Sequence, residues 1–248
     1  MKAYSIMTFN LLCIDVTDDR IARVLSAIHT SNPDILGVQE ATPHWMQLLR
    51  NALPGYAAVG FGREGGNRGE HSAIFVKIER FEILAENTHW LTDTPNVFSF
   101  VDGSLCPRIY TWAKLYDKAN DTVVYHVNTH LDHGLEEVRM IQARHLYNFI
   151  AALDAPVTVT GDFNYEERTS AVYRYFTAGV LADAKYLAKD LYAAATFHGY
   201  RELDWIIDYC YLTRNAYTGE NYRVIDARID GEHPSDHNPV VVVVSVNG

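Results

Sequence analysis

Ser235-Asp236-His237-Asn238-Pro239, running directly into Val240 to Val244, is the stretch on which the reading of this chain turns. The valine run is short, continuous and β-branched, so it reads as a buried strand. Just before it, an acid and an imidazole occupy neighbouring positions. Neighbours in or near a strand point to opposite sides, so one can face a cation while the other faces a substrate. A plain loop-to-strand turn would also account for the Ser, Asp, Asn and Pro. What separates the two readings is whether acid-bearing stretches upstream need the same site.

Upstream, residues 4 to 12 read as a first strand containing Thr8-Phe9-Asn10. A helical pattern follows Asp18 and Asp19, with Ile21, Val24, Leu25 and Ile28 at three- and four-residue spacing. Ile35 to Val38 is a second short buried strand ending in Gln39-Glu40, and a second helix carries Trp45, Met46, Leu48 and Leu49. Residues 56 to 128 then give strand after strand. The segment Glu136 to Leu153 returns to helix, and Val157 to Thr160 is a core strand ending in Gly161-Asp162-Phe163-Asn164. A helical region over about 168 to 180 and strands over 203–212 and 240–246 complete the pattern. Two halves of mixed strands with helices between them predict an α/β fold of two sheets packed face to face, helices covering both. No linker or repeat divides the 248 residues, so a single domain over 1–248 is expected.

Composition narrows the function. Nearly half the chain, 48%, is apolar, enough for a sizeable core, and the net charge is −10. Long duplex nucleic acid demands basic surface to replace counterions. The charge therefore argues against a general duplex binder and for a compact substrate. Cys13, Cys106 and Cys210 form neither a disulfide framework nor a zinc motif and read as reduced residues. No apolar run reaches the length of a membrane span and the first residues do not read as a signal peptide, so a cytoplasmic monomer is expected.

The polar residues of interest fall at strand ends or just after them: Asn10, Glu40, Glu70, His130, Asp162 with Asn164, Asp204, and Asp236 with His237. Catalytic groups and ligands gather on loops held at one edge of a rigid sheet. Asn10, Glu40 and Asp236 offer oxygen, which suits magnesium or manganese; zinc would want His or Cys in the same cluster. Asp162 and Asn164 flank Phe163 and point the same way if the backbone stays extended. There an acid could orient or deprotonate water while the amide donates to a developing oxyanion; an Asx-type turn after a core strand accounts for the same letters. His130-Leu131-Asp132-His133 matches half of the dinuclear zinc signature of metallo-β-lactamase-like hydrolases, but position 128 is Asn where that pattern needs His.

Taken together, Thr8-Phe9-Asn10, Val38-Gln39-Glu40, Asn128-Thr129-His130, Gly161-Asp162-Phe163-Asn164, Leu203-Asp204-Trp205-Ile206 and Ser235-Asp236-His237-Asn238-Pro239-Val240 resemble the endonuclease/exonuclease/phosphatase superfamily. These are magnesium-dependent phosphoesterases with the DNase I-like fold, and the six stretches occur in the family's order. Gly62-Arg63-Glu64, His89 to Pro95, Pro107 to Trp112 and Thr196 to Gly199 look like a bacterial branch near its nocturnin-like members. The resemblance implies a four-layer α/β sandwich with the site at one edge of two mixed, mainly antiparallel sheets. It implies Glu40 as main ligand of Mg2+ or Mn2+, helped by Asn10 and Asp236. His237 would touch the scissile phosphate and be held by Asp204; His130 would be a second phosphate-facing imidazole supported by Glu70. A nearby carboxylate raises an imidazole's pKa and favours the charged form that binds phosphate. Asp162 would orient water or act as base, Asn164 would donate to the phosphate, and Arg108 could reach it with its fork of donors. The chain lacks the basic loop inserts by which nucleases grip a duplex. The expected activity is metal-dependent hydrolysis of a small or single-stranded phosphodiester or a phosphomonoester. A DNA-repair-type endonuclease/exonuclease and a catalytically silent phosphate-binding module are the alternatives.

Overall fold

The computed structural model describes residues 1–201 and 203–247. The chain begins β1 (Tyr4–Asn10), α1 (Asp18–Ser31), β2 (Ile35–Ala41), α2 (Pro43–Ala52), β3 (Tyr56–Val59), β4 (His71–Lys77) and β5 (Phe81–Trp90). It continues β6 (Ile109–Asp117), β7 (Thr122–His130), α3 (Glu136–Ala151), β8 (Val157–Asp162), α4 (Ala171–Thr177), β9 (Leu181–Asp183) and, after a 3-10 turn, β10 (Ala188–Tyr192). It ends β11 (Asp208–Thr213), β12 (Tyr217–Val224) and β13 (Val240–Val246). One sheet has the order β10-β12-β13-β1-β2-β4-β3 and the other β5-β6-β7-β8-β11-β9. Helices start where the sequence supplies caps: Thr17 accepts from Arg20 N at α1, and Thr42 accepts from Trp45 N at α2 with Pro43 in the first turn.

Three apolar clusters make four layers. Ile6, Ile35, Ile74, Leu115, Val124 and Val242 belong to the cluster that joins the two sheets face to face. On the outer face of the first sheet, Met7, Phe9, Leu36 and Phe75 meet Val24, Ile28, Trp45 and Leu49 of α1 and α2. On the outer face of the second, Val127, Val159 and Tyr211 meet Leu146, Ile150, Val172 and Phe176 of α3 and α4. Each large apolar side chain so buried contributes about 1.5–3 kcal/mol. The valine run divides as a strand must: Val240, Val242, Val244 and Val246 face the other sheet, while Val241 packs on the helix side.

The sheets approach most closely beneath the site. Asn128 of β7 donates from Nδ2 to the carbonyls of Val38 and Ala73 in the other sheet, at 2.9 Å each. Gln39 Nε2 donates back to Asn128 Oδ1 at 2.7 Å. A Cβ on Gly37 would stand 2.4 Å from Thr160 Oγ1, so only glycine permits this approach.

Three strands were not legible in the sequence, and one begins later than its pattern suggests. β9 is three residues long, β10 is an exposed edge strand, and β12 is broken by a register shift between Gly219 and Asn221. Each lacks a clean alternation. The strand expected over 203–212 begins only at Asp208, an offset that matters for the site. Among the described residues no helix is long and apolar enough to cross a membrane.

His126, on β7 four residues before His130, lies in the core. It is buried between Thr158 Oγ1, 2.8 Å from Nδ1, and Thr160 Oγ1, 3.1 Å from Nε2. Burial pushes its pKa down to about 3. The unfolded chain holds this imidazole near 6.5. Its stabilising contribution is therefore complete above pH 6.5 and is lost as pH falls from there toward 3. Its share of the loss between pH 7 and pH 5 is about 2 kcal/mol. Urea titrations at both pH values should show that extra loss in the native chain relative to His126→Gln; parallel curves would refute the assignment.

Candidate active site

Connectivity explains why residues remote in sequence meet at one edge. β1 and β2 are parallel neighbours, as are β7 and β8, so Asn10, Glu40, His130 and Asp162 lie at strand ends on the same side. β13 is antiparallel to β1 and β11 to β8, which brings the residues before β13 and the first residue of β11 to that side too. A cleft of about 710 Å³ opens there, and Glu40, Arg108, His130, Asp162, Asp236 and His237 are among its walls.

Glu40 owes its position to a bulge. Between β2 and β4 the pairing passes from Val38↔Ala73 to Ala41↔His71, so three steps on one strand match two on the other. Glu40 takes up the extra residue with φ 54°, in the left-handed region. Such a conformation costs a non-glycine residue about 1–3 kcal/mol and persists where surrounding structure fixes it. Its Oε2 accepts from Cys13 N at 2.9 Å and its Oε1 from Asn10 Nδ2 at 3.1 Å. Burial raises its pKa, but these donors outweigh burial and the carboxyl is held below its usual value.

Asn10 is fully buried and bridges two acids, its Nδ2 also donating to Asp162 Oδ2 at 2.9 Å. Its oxygen is turned away and accepts from Leu12 N at 3.0 Å. In this arrangement Asn10 is a brace for Glu40 and Asp162.

The imidazole of His237 lies among carboxylates. Nδ1 is 2.8 Å from Asp208 Oδ2, and Nε2 is 3.7 Å from Asp162 Oδ2 and 4.0 Å from Asp236 Oδ1. The partner is thus Asp208, and the expectation that Asp204 holds this histidine is corrected: Asp204 is exposed, in the loop before β11. Asp208 opens that strand directly opposite Asp162 on β8. Burial alone would lower the pKa of His237, but Asp208, then Asp162 and Asp236, overcome it and push it to about 10. Asp162 moves up, first through burial and then through the charge of Asp208, with His237 opposing. Asp162, Asp208 and His237 also satisfy the distance criterion for a cation site, their nearest ligand atoms lying within 4.8 Å of one another. The short Nδ1–Asp208 contact makes this trio an ion-pair network.

His130 behaves differently. Its Nε2 lies 3.0 Å from Asn164 Nδ2, which also donates to the carbonyl of Leu131 at 3.0 Å. A carbonyl only accepts, so the amide orientation is fixed, and Nε2 of His130 is an acceptor. Burial, then the cations of Arg108 and His237, keep this ring neutral. The expectation of a second charged imidazole is therefore not met, and Asn164, both its hydrogens engaged, positions His130 where a donor to phosphate was expected. The Gly161-Asp162-Phe163-Asn164 stretch turns instead of staying extended: Asn164 N donates to Asp162 Oδ1 at 3.0 Å with Asn164 at φ 53°. Turn and site prove compatible readings of the same letters.

Glu70 is also corrected. Its carboxylate pairs with Arg63 at 2.7 Å, not with His130. Arg63 N bonds Glu70 O at 2.9 Å, because the glycine-rich loop folds back on itself and supplies a local partner. Arg108 does reach the cleft. It is 5% exposed, touches His133 Nδ1 at 3.0 Å through Nη2, and its Nε, like that of Arg63, is buried without a partner among the described residues. Such a group calls for an acceptor. Asp236 faces the same cleft; burial raises its pKa and the charge of Glu40 raises it further. The cleft is thus lined by both signs of charge: the guanidinium groups of Arg63 and Arg108 and the acids Glu40, Glu70, Asp162 and Asp236. Sequence reasoning missed Asp208, though Leu203 to Asp208 contains both candidate acids, and it gave no role to Trp205, which lines the same cleft.

A two-sheet sandwich carrying a His–carboxylate pair, a third acid and buried cations at one edge defines a phosphoesterase of the DNase I-like fold. The chain belongs to the Endonuclease/Exonuclease/phosphatase family, whose sequence pattern matches residues 7–237, and it is accordingly a hydrolase of phosphoric ester bonds. An endonuclease/exonuclease/phosphatase of Bacteroides vulgatus is similar at 30% identity, with 100% of both chains covered and a TM-score of 0.92. The mannosyl-6-phosphatase of Bacteroides thetaiotaomicron is 28% identical over 98% of this chain and 99% of its own, with a TM-score of 0.90. The human Nocturnin catalytic domain shares the fold at 22% identity, covering 99% of this chain and 95% of its own, with a TM-score of 0.78. None of the curated proteins matches.

Proposed function

We propose that this chain hydrolyses a small phosphomonoester with the help of a divalent cation, Mg2+ or Mn2+. The observation that carries the reading is the charge of the cleft: Arg108, buried with an unpartnered Nε, lines a space of about 710 Å³ together with Glu40, Asp162 and Asp236. Arg108 would hold a phosphate oxygen and a cation on Glu40 and Asp236 would supply further positive charge, and the mannosyl-6-phosphatase activity of a relative 28% identical supports a monoester. The net charge of −10 supports a compact substrate over a nucleic-acid duplex.

Glu40 and Asp236 fit a hard cation by donor type, and the charge of Glu40 already bears on Asp236, a repulsion that a cation between them would relieve. When bound, the cation neutralises non-bridging oxygens and stabilises the leaving oxygen. The chain's own groups supply the rest. His237, kept charged by Asp208, donates from Nε2 to a phosphate oxygen. Arg108 holds another oxygen. Asp162, raised by burial, is a stronger base than a free carboxylate and takes the proton of the attacking water. Neutral His130 helps orient that water, and Asn10 and Asn164 brace the acid and the ring.

The test is a panel of mannose 6-phosphate, AMP, bis-p-nitrophenyl phosphate and a single-stranded oligonucleotide, assayed with Mg2+, with Mn2+ and with EDTA. Metal-dependent release of inorganic phosphate should favour a monoester by at least about tenfold in kcat/KM, some 1.4 kcal/mol. Preference for a diester, or full activity in EDTA, would overturn the reading.

A further inference from the structure

Beside the catalytic cleft lies a second pocket of about 330 Å³, continuous with it through Asn164, Trp205 and Ile207, which line both. We propose that this side pocket receives the alcohol half of the ester, and that the group it fits is a neutral, polyhydroxylated ring such as a pyranose or a cyclitol. The inference rests on the phosphomonoester reading and extends it from the phosphate to the rest of the substrate.

Three features of the pocket point to that chemistry. The first is an aromatic platform. Trp205 is 47% exposed and lines both pockets, so its ring offers an open apolar face at their junction. It is held by Phe197, whose ring lies 5.6 Å away at 32°, and Phe197 in turn lies 4.8 Å from the ring of His237. The platform therefore stands one ring away from the imidazole that faces the phosphate. The C–H face of a sugar ring is apolar and suits such a surface.

The second is a pair of fixed carboxylates. Glu136 Oε1 is held by Ser170 Oγ and Ala171 N, both at 2.8 Å. Glu166 Oε1 accepts from Ile206 N at 3.0 Å. One oxygen of each acid thus sets its orientation, and the other is an acceptor suited to hydroxyl groups. The third is charge. The one arginine of the lining, Arg139, gives Nη1 to the carbonyls of Asp132 and Gly134, at 3.0 and 2.8 Å, while its buried Nε has no partner among the described residues. Two acids still outnumber that one guanidinium, and the surplus of negative charge disfavours a second phosphate or the continuing backbone of a nucleic acid. A neutral polyol has both the hydroxyl donors and the apolar face; a nucleobase has only the face in full measure.

The experiment compares Trp205→Ala and Glu166→Gln with the native chain on mannose 6-phosphate and on butyl phosphate, an ester with no ring or hydroxyl groups. Each substitution should lower the ratio of kcat/KM for the sugar ester to that for butyl phosphate by about tenfold, chiefly through KM. Saturation-transfer NMR with free mannose and with inorganic phosphate supplies a readout independent of turnover. Mannose should bind the native chain and not Trp205→Ala. Ratios within twofold of native in both variants, or no mannose binding while phosphate still binds, would overturn the side pocket alone. A ratio that collapses for AMP and not for the sugar ester would replace the polyol with a nucleoside. Mannose binding with no monoester hydrolysed would overturn the monoester reading and leave the pocket standing. Melting curves guard against a folding artefact, which an exposed Trp205 makes easy to avoid.

Discussion

Asp208→Asn should lower kcat by on the order of a thousandfold or more, and Asp204→Asn should leave it within about twofold of the native chain. The asymmetry follows from one hydrogen bond. Asp208 Oδ2 accepts from His237 Nδ1 at 2.8 Å and is the nearest of the acids that keep the ring charged. An asparagine in its place keeps the volume but loses the charge, so the ring is left neutral, and its amide oxygen, accepting at Nδ1, holds the one ring hydrogen there. Nε2 would then lose the hydrogen it offers to the phosphate. Asp204 is exposed in the preceding loop and does none of this. The pH profile separates loss of charge from simple misfolding. In the native chain the raised pKa keeps His237 protonated through neutral pH and releases the proton only toward 10. In Asp208→Asn the basic limb of activity should move to lower pH. Equal activities for the two variants would remove Asp208 from the site.

Asp204 and Asp208 show what the letters of a sequence carry and what they do not. Leu203-Asp204-Trp205-Ile206-Ile207-Asp208 holds two acids four residues apart, and apolar patterning supports a strand through all of it. Only the pairing of β11 with β8 settles that the ladder opens at Asp208, opposite Asp162. Strand onset depends on a partner more than forty positions earlier, and local composition cannot report it. Glu40 divides in the same way. Its place at the end of a buried apolar run was legible, but the bulge that turns it into the cleft depends on β4. Glu70 was assigned a distant partner, His130, when its own loop supplied Arg63. The four-layer plan, by contrast, was readable from the alternation of helical and strand periods, because it requires each element to bury one face and nothing more specific. The sequence also made Asp236 and His237 conspicuous by setting them against an unbroken valine strand. The tautomer and charge of His130 were hidden, since they depend on the amide orientation of Asn164, fixed by the carbonyl of Leu131.

Glu40→Gln is the substitution expected to weaken cation binding most. Glu40 is the acid of the cleft whose protonation is most strongly resisted: donors from Cys13 N and Asn10 Nδ2 hold it ionised, while Asp236, pushed up by burial and by Glu40 itself, is easier to neutralise. Glutamine removes the charge and also turns an amide nitrogen toward one of two donors, so the side chain cannot keep both contacts. Isothermal titration with Mn2+ should show the dissociation constant rising by about tenfold or more, and kcat/KM for the phosphate ester should fall by at least about a hundredfold, or some 2.7 kcal/mol of transition-state stabilisation. Asp236→Asn should weaken the cation less, because that carboxyl already holds its charge less firmly. The order of the two effects is the informative outcome. Mn2+ affinity unchanged in both Glu40→Gln and Asp236→Asn would move the cation to the cluster of Asp162, Asp208 and His237, where the ion-pair network would then have to give up its proton.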